Sequence, residues 1–212
     1  ITDGTARWQL ALPSTYYGML ISGAGSQNTL TMMDFTGVGV DAISISAAVF
    51  SVKVHQSTFG QYLSSGIATT GAGSALLISD NEFIGGIYTS TGSGINIGST
   101  WLGHALIKGN FMAGNFWGTS QYGVVISGGK NTVVQGNTIT GFVYGVFVVG
   151  GVTNFIVDGN MLGSSNGYGT NTNSVRVDTG AGNYYNITNN IVNGLAISDA
   201  GTGVNKTISG NN

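Results

Sequence analysis

The sequence predicts an all-β column of stacked coils, and three observations predict it. An Asn-centred motif recurs about every 25 residues, two apolar columns keep register with it, and no segment carries a helix-length apolar period. The motif reads "SDNEFIGG" at 79–86, "KGNFMAG" at 108–114, "QGNTITG" at 135–141, "DGNMLG" at 158–163 and "TNNIVNG" at 188–194, and "SGNN" closes the chain. Its asparagines are Asn81, Asn110, Asn137, Asn160, Asn190 and Asn211, spaced by 29, 27, 23, 30 and 21 residues. Ser57 and Met33 hold the same place upstream at intervals of 24.

Each coil is justified element by element. The strand before the corner puts Leu30, Val54, Ile78, Ile107, Val134, Val157, Ile187 and Ile208 three residues ahead of the landmark. The strand after it puts Phe35, Phe59, Phe83, Met112, Ile139, Leu162 and Val192 two residues behind. Both columns are apolar, so both are expected inside. The corner Asn suits the left-handed conformation and is expected to bond to backbone and to the next Asn along the axis, and the Gly just before many of these asparagines is expected to serve the same bend. A third strand follows in most coils: "VDAISIS" at 40–46, "GINIG" at 94–98, "GVVIS" at 123–127, "GVFVV" at 145–149, "NSVRVD" at 173–178 and "GLAIS" at 194–198. One coil cannot bury its own inner face, so the coils must stack into one shared core. An antiparallel sandwich also uses short strands and Gly turns, but it does not need one corner residue in register at every turn. The expected organisation is a lead-in or cap over residues 1–29, then a parallel β-helix of about 7–8 coils over 30–212.

By the two-residue strand period, Leu77, Leu106, Val133 and Ile156 face outward between Lys53 and Asn186. Such an apolar stripe predicts association, here as a homotrimer of parallel columns.

Composition narrows the partners. Six Lys plus Arg against eight Asp plus Glu leave too few cations for a nucleic-acid partner. With 42% apolar residues in a pattern, the chain is not disordered. Cysteine is absent, so there is no disulfide frame or thiolate metal site. No apolar run has membrane-spanning length, and neither a metal nor a cofactor is expected.

The "DN/GN-x-apolar-x-G" corners at Asn81–Gly85, Asn110–Gly114 and Asn137–Gly141, with the looser Asn160 and Asn190 versions, resemble the right-handed parallel β-helix family of pectate lyases, alginate epimerases and phage tailspikes. The opening "ITDGTARWQL" resembles the "TDGT-x-x-W" segment of phage tail proteins. The resemblance implies a trimeric phage tail appendage, a tailspike or fibre domain on the virion, joined to neighbouring tail domains and recognising a bacterial surface polysaccharide. It departs from spike depolymerases in its small number of coils and lacks a catalytic motif. A polysaccharide hydrolase or lyase, and a secreted or cell-surface adhesin-like solenoid, remain the alternatives.

Candidate site residues follow from chemistry. Glycoside hydrolysis uses two carboxylates about 5–9.5 Å apart. Asp80 and Glu82 are the closest pair in sequence, although Asp80 also suits an Asx turn. Asp158 stands in the outward column of Ser79, Lys108, Gln135 and Thr188, and Asp178 ends a strand beside Arg176. His55 and His104 are isolated and read as structural or surface residues. The segments 99–104, 114–123 and 164–173 interrupt the strand pattern and carry Trp101, Trp117, Tyr122 and Tyr168. Aromatic rings there, with nearby amides and hydroxyls, predict a shallow glycan groove. The competing reading packs Trp101 into the core.

Overall fold

The computed structural model describes residues 17–38, 40–87, 91–114, 120–163, 173–193 and 195–212. Its twenty-two short strands form a right-handed parallel β-helix of about seven coils. The first sheet holds eight strands, from Met19–Ile21 to Ala196–Asp199. The second holds eight, from Gln27–Thr31 to Lys206–Ser209. The third holds six, from Asp34–Val38 to Met161–Gly163. Every described ladder is parallel and joins equivalent strands of successive coils; Ser120–Ile126, for example, lies between Thr91–Ile97 and Tyr144–Val148. The pairing reaches into residues assigned to the lead-in, since Met19–Ile21 pairs with the 41–45 strand and Gln27–Thr31 with the 49–55 strand.

The two predicted apolar columns line two walls of the core, and inward residues of the first sheet such as Ile43, Ile67, Ile95, Val124, Val146 and Val175 line the third. Val54, Ile78, Ile107, Val134, Val157 and Ile187 are buried, as are Phe35, Phe59, Phe83, Met112, Ile139 and Leu162. Phe35, Phe59 and Phe83 stack with centroids 5.2 and 4.6 Å apart, because one residue type in one register on adjacent rungs leaves the rings nearly parallel. At the C-terminal end Leu30's counterpart Ile208 is exposed, with no coil described beyond it.

The corner works differently from the expected arrangement in one respect. The left-handed residue is the one before the Asn: Met32, Gln56, Asp80, Gly109, Gly136, Gly159, Asn189 and Gly210 all have φ between 51° and 65°. The Asn is left free to use its carboxamide. Asn110 donates its backbone N–H and its Nδ2 to Asn137 Oδ1, each at 2.9 Å, and Nδ2 also reaches Ile78 O and Lys108 O. Asn81, Asn137, Asn160 and Asn190 repeat the pattern toward Asn110, Asn160, Asn190 and Asn211. Every rung of this buried ladder is hydrogen-bonded, which meets the requirement for polar groups withdrawn from water.

The predicted outward positions are outward. Leu77, Leu106 and Val133 are half-buried and Ile156 is exposed on the second sheet. Glu82, Phe111, Met161 and Ile191 are exposed just past their corners.

Candidate functional site

The four candidate carboxylates fall at three places on the column. Asp80 and Glu82 flank buried Asn81 at the third coil's corner and are both exposed. Asp158 lies along the same corner three rungs on, about 14 Å away at about 4.8 Å per rung. Asp178 follows a strand of the first sheet.

Asp158 is tied into its column. Thr188 Oγ1 and Asn189 Nδ2 donate to its Oδ1 at 2.8 and 3.0 Å, and Gln135 Nε2 donates to its Oδ2 at 3.2 Å. These bonds, that from Thr188 first, hold the carboxyl below its usual range. A carboxylate so held is a poor general acid near neutral pH.

Trp101 is buried, only 1% exposed. The turn that carries it is fixed by Trp101 N–H to Gly98 O at 3.0 Å and Gly129 N–H to Trp101 O at 2.7 Å. The ring lies over Gly73, where a Cβ would come within 2.1 Å of the indole. This wall position withdraws Trp101 from any surface groove. Trp117 and Tyr168 lie outside the described residues.

Tyr122 stands in an aromatic cluster. On the outer face of the first sheet, Tyr122 and Tyr144 are paired partners on adjacent rungs, with rings stacked at 5.4 Å and 13°. Phe147 closes a triangle with them at 5.1 and 5.8 Å. One rung further, Arg176 donates from Nη1 to Tyr144 Oη at 3.0 Å, and its guanidinium lies 5.4 Å from the Tyr144 centroid and 5.5 Å from that of Phe147. Asp178 Oδ1 sits 3.5 Å from Arg176 Nη2.

The local sequence explains the cluster. Earlier coils carry Ser65 and Ser93 in the Tyr122 column, both buried and bonded hydroxyl to hydroxyl at 3.1 Å. The next residue in each coil is Gly66, Gly94, Gly123 or Gly145, tight under the following rung. At Gly123 a Cβ would lie 2.3 Å from Ile139 Cγ2 and 2.6 Å from Gly145 O. Gly123 and Val124 both face the core, so the alternation is interrupted there, and Tyr122 and Tyr144 are half-exposed.

This arrangement is a half-exposed aromatic platform with a fixed cation across it. Aromatic faces pack the apolar faces of sugar rings, and a guanidinium offers directed donors to hydroxyls or carboxylates. Tyr122, Asp178 and Arg176 were singled out in the sequence; Tyr144, just before the segment "GVFVV" at 145–149, and Phe147 within it were not.

The histidines are apart from this platform: His104 is exposed, with Nδ1 3.3 Å from Asn131 Nδ2, and His55 is half-buried. Among the described residues no three His, Asp or Glu side chains gather as a metal site, and no helix is long and apolar enough to cross a membrane. A family model described as "Right handed beta helix region" matches residues 12–162. No curated protein and no solved structure matches the chain.

Proposed function

We propose, for a chain that belongs to the right-handed β-helix family, that it is a carbohydrate-binding solenoid that holds a polysaccharide along the outer face of its first sheet. The observation that carries this reading is the platform of Tyr122, Tyr144 and Phe147 with Arg176 laid across it. Rungs about 4.8 Å apart let one extended chain of sugars contact several coils at once. A single fixed guanidinium in a chain of net charge -2 suits a neutral or sparsely acidic glycan better than a densely anionic one. A secreted or cell-surface adhesin and a homotrimeric phage tail appendage facing bacterial surface glycan would both present this face.

A second reading, a polysaccharide lyase or hydrolase, draws on Asp178 beside Arg176 and Tyr144, the one cluster here that joins a carboxylate to a phenol and a guanidinium. Calorimetric titration with neutral and uronate-containing polysaccharides, run beside reducing-end and unsaturated-product assays, tests both. Binding weakened at least tenfold by Phe147→Ala and by Arg176→Gln, without chain shortening, is the expected result. Rapid shortening abolished by Asp178→Asn would replace binding with catalysis, and unchanged binding in both platform variants would remove this face from the function.

A further inference from the structure

We infer that the outer face of the second sheet carries a separate groove for a neutral saccharide, built on the last four coils and independent of the aromatic platform on the first sheet. The groove encloses about 580 Å³, within the usual range of about 300–1,000 Å³ for small-molecule sites. Its floor is Val133 and Ile156, the lower half of the outward apolar stripe. Its walls are amides and one ring: Asn154, Asn186, Asn205 and Tyr184. Saccharide sites need that mixture, an apolar surface for the C–H face of a sugar and convergent donors and acceptors for its hydroxyls.

Two observations separate this groove from an ordinary polar surface. The first is the state of its amides. Every carboxamide of the corner ladder is committed to protein partners, whereas those of Asn154, Asn186 and Asn205 make no side-chain bond among the described residues. They stand on three consecutive rungs, Asn154 and Asn205 on either side of Tyr184 and Asn186 two residues along the strand from it, so their donors and acceptors converge on one patch.

The second is Tyr184. Its column holds Asn131 and Asn154 in the preceding coils, both left-handed with φ of 55° and 57°. Asn tolerates that conformation, and a bulky aromatic residue does not do so readily. Tyr184 nevertheless adopts φ 66° with its side chain 63% exposed against the groove. A strained, exposed aromatic residue in a position where neighbouring coils place Asn gains nothing in packing, and strain of this kind gathers at ligand sites.

The charge around the groove sets the ligand class. Its bordering cation, Lys206, is engaged: Nζ lies 2.7 Å from Asp199 Oδ2 and 3.0 Å from Gly201 O. An anionic ligand would have to compete with that carboxylate, while a neutral sugar meets the amides directly.

The test uses the whole chain and a panel of neutral hexasaccharides of glucose, galactose, mannose and N-acetylglucosamine, titrated by calorimetry. Tyr184→Asn restores the residue of the neighbouring coils, so its thermal midpoint is expected to equal or exceed that of the parent. The same variant is expected to weaken binding of the recognised sugar at least tenfold. Asn186→Ala, at a position without strain, is expected to weaken it three- to tenfold. Binding unchanged in both variants overturns the inference, as does failure of every hexasaccharide to bind at millimolar concentration. A mass of several chains by light scattering that falls to one chain in Ile156→Asn would assign the face to self-association and overturn it equally.

Discussion

Replacing Asn137 by Ala tests the corner ladder at its centre. Asn137 Oδ1 accepts Asn110 N–H and Nδ2 at 2.9 Å, and its own Nδ2 donates to Ile107 O, Gln135 O and Asn160 Oδ1. In the Ala variant the buried Asn110 N–H loses its acceptor, while Asn110 Nδ2 keeps Ile78 O and Lys108 O. An orphaned buried N–H costs about 1–3 kcal/mol and the side-chain bonds lost add about 1 kcal/mol. The expected loss is therefore about 2–4 kcal/mol, against a total stability of about 5–15 kcal/mol for a domain. Because a solenoid is held by neighbour-to-neighbour contacts, the damage is expected as early amide exchange in the fifth and fourth coils.

Asp at the same position sharpens the argument. One carboxylate oxygen replaces Oδ1, and the other faces the three acceptors that Nδ2 had served. At neutral pH Asn137→Asp is expected to be less stable than Asn137→Ala. Its folded-state pKa is raised above the unfolded value of about 3.9, so stability is recovered as pH falls through the raised pKa and the acid regains one O–H donor. Asn211→Ala, half-buried at the end of the ladder, is expected to cost less than about 1 kcal/mol. Urea unfolding followed by circular dichroism measures all three. An Asn137→Ala protein within about 0.5 kcal/mol of the parent would refute the ladder as a source of stability.

Other expectations concern single sites. Gly123→Ala places a Cβ 2.3 Å from Ile139 and 2.6 Å from the next rung's carbonyl, and a loss of about 2–3 kcal/mol in thermal unfolding is expected, in the upper range for overpacking. Asp41 and Asp199 are expected to give opposite pH trends, read from melts of Asp41→Asn and Asp199→Asn between pH 3 and pH 8. Burial raises the Asp41 carboxyl despite bonds from Ser64 and Ser65; its contribution is present below the unfolded pKa and lost as pH rises through the folded one, so Asp41→Asn stabilises at pH 7. Burial also acts to raise Asp199, but bonds from Lys206, Tyr185 and Gly201 outweigh it and hold the carboxyl low. Its contribution is present above the unfolded pKa and lost as pH falls, so Asp199→Asn destabilises at pH 7 and least at pH 3. Asp158→Asn is expected to leave polysaccharide binding unchanged in calorimetry, and a tenfold loss would return Asp158 to the site.

The fold was legible because one physical constraint repeats. From Asn81 onward each corner pairs a left-handed Gly, Asp or Asn with the carboxamide of the next residue, which bonds to a neighbouring rung, so Gly-Asn, Asp-Asn or Asn-Asn recurs with the apolar columns in register; the first two corners use Met32 and Gln56 instead. The division of labour inside that pair was less visible. Asn commonly takes the left-handed state, and only the geometry shows that Gly109, Gly136 and Gly159 take it while the Asn stays buried. The fate of Trp101 depended on Gly73, 28 residues earlier by sequence number and one coil away in space. A glycine aligned opposite a tryptophan across one coil was the available signal. Part of the platform escaped for another reason: Tyr144 and Phe147 flank Gly145, where the inward alternation is interrupted, so their faces do not follow from the two-residue period alone.

Asparagine shows where periodicity ceases to inform. The corner residues Asn110, Asn137 and Asn160 and the groove residues Asn154, Asn186 and Asn205 belong to different columns of the same coils, and sequence records both as Asn in a Gly-rich repeat. What distinguishes them is satisfaction. A buried amide must find protein partners or destabilise the fold, so the corner carboxamides are all spent. An exposed amide is satisfied by water and carries no such obligation, so it stays open to a ligand's hydroxyls. In a chain with so few charges, the proposed recognition draws on these uncommitted amides and the rings beside them. Substitutions at the two sets therefore separate cleanly: corner changes lower stability, and groove or platform changes lower affinity while the column stands.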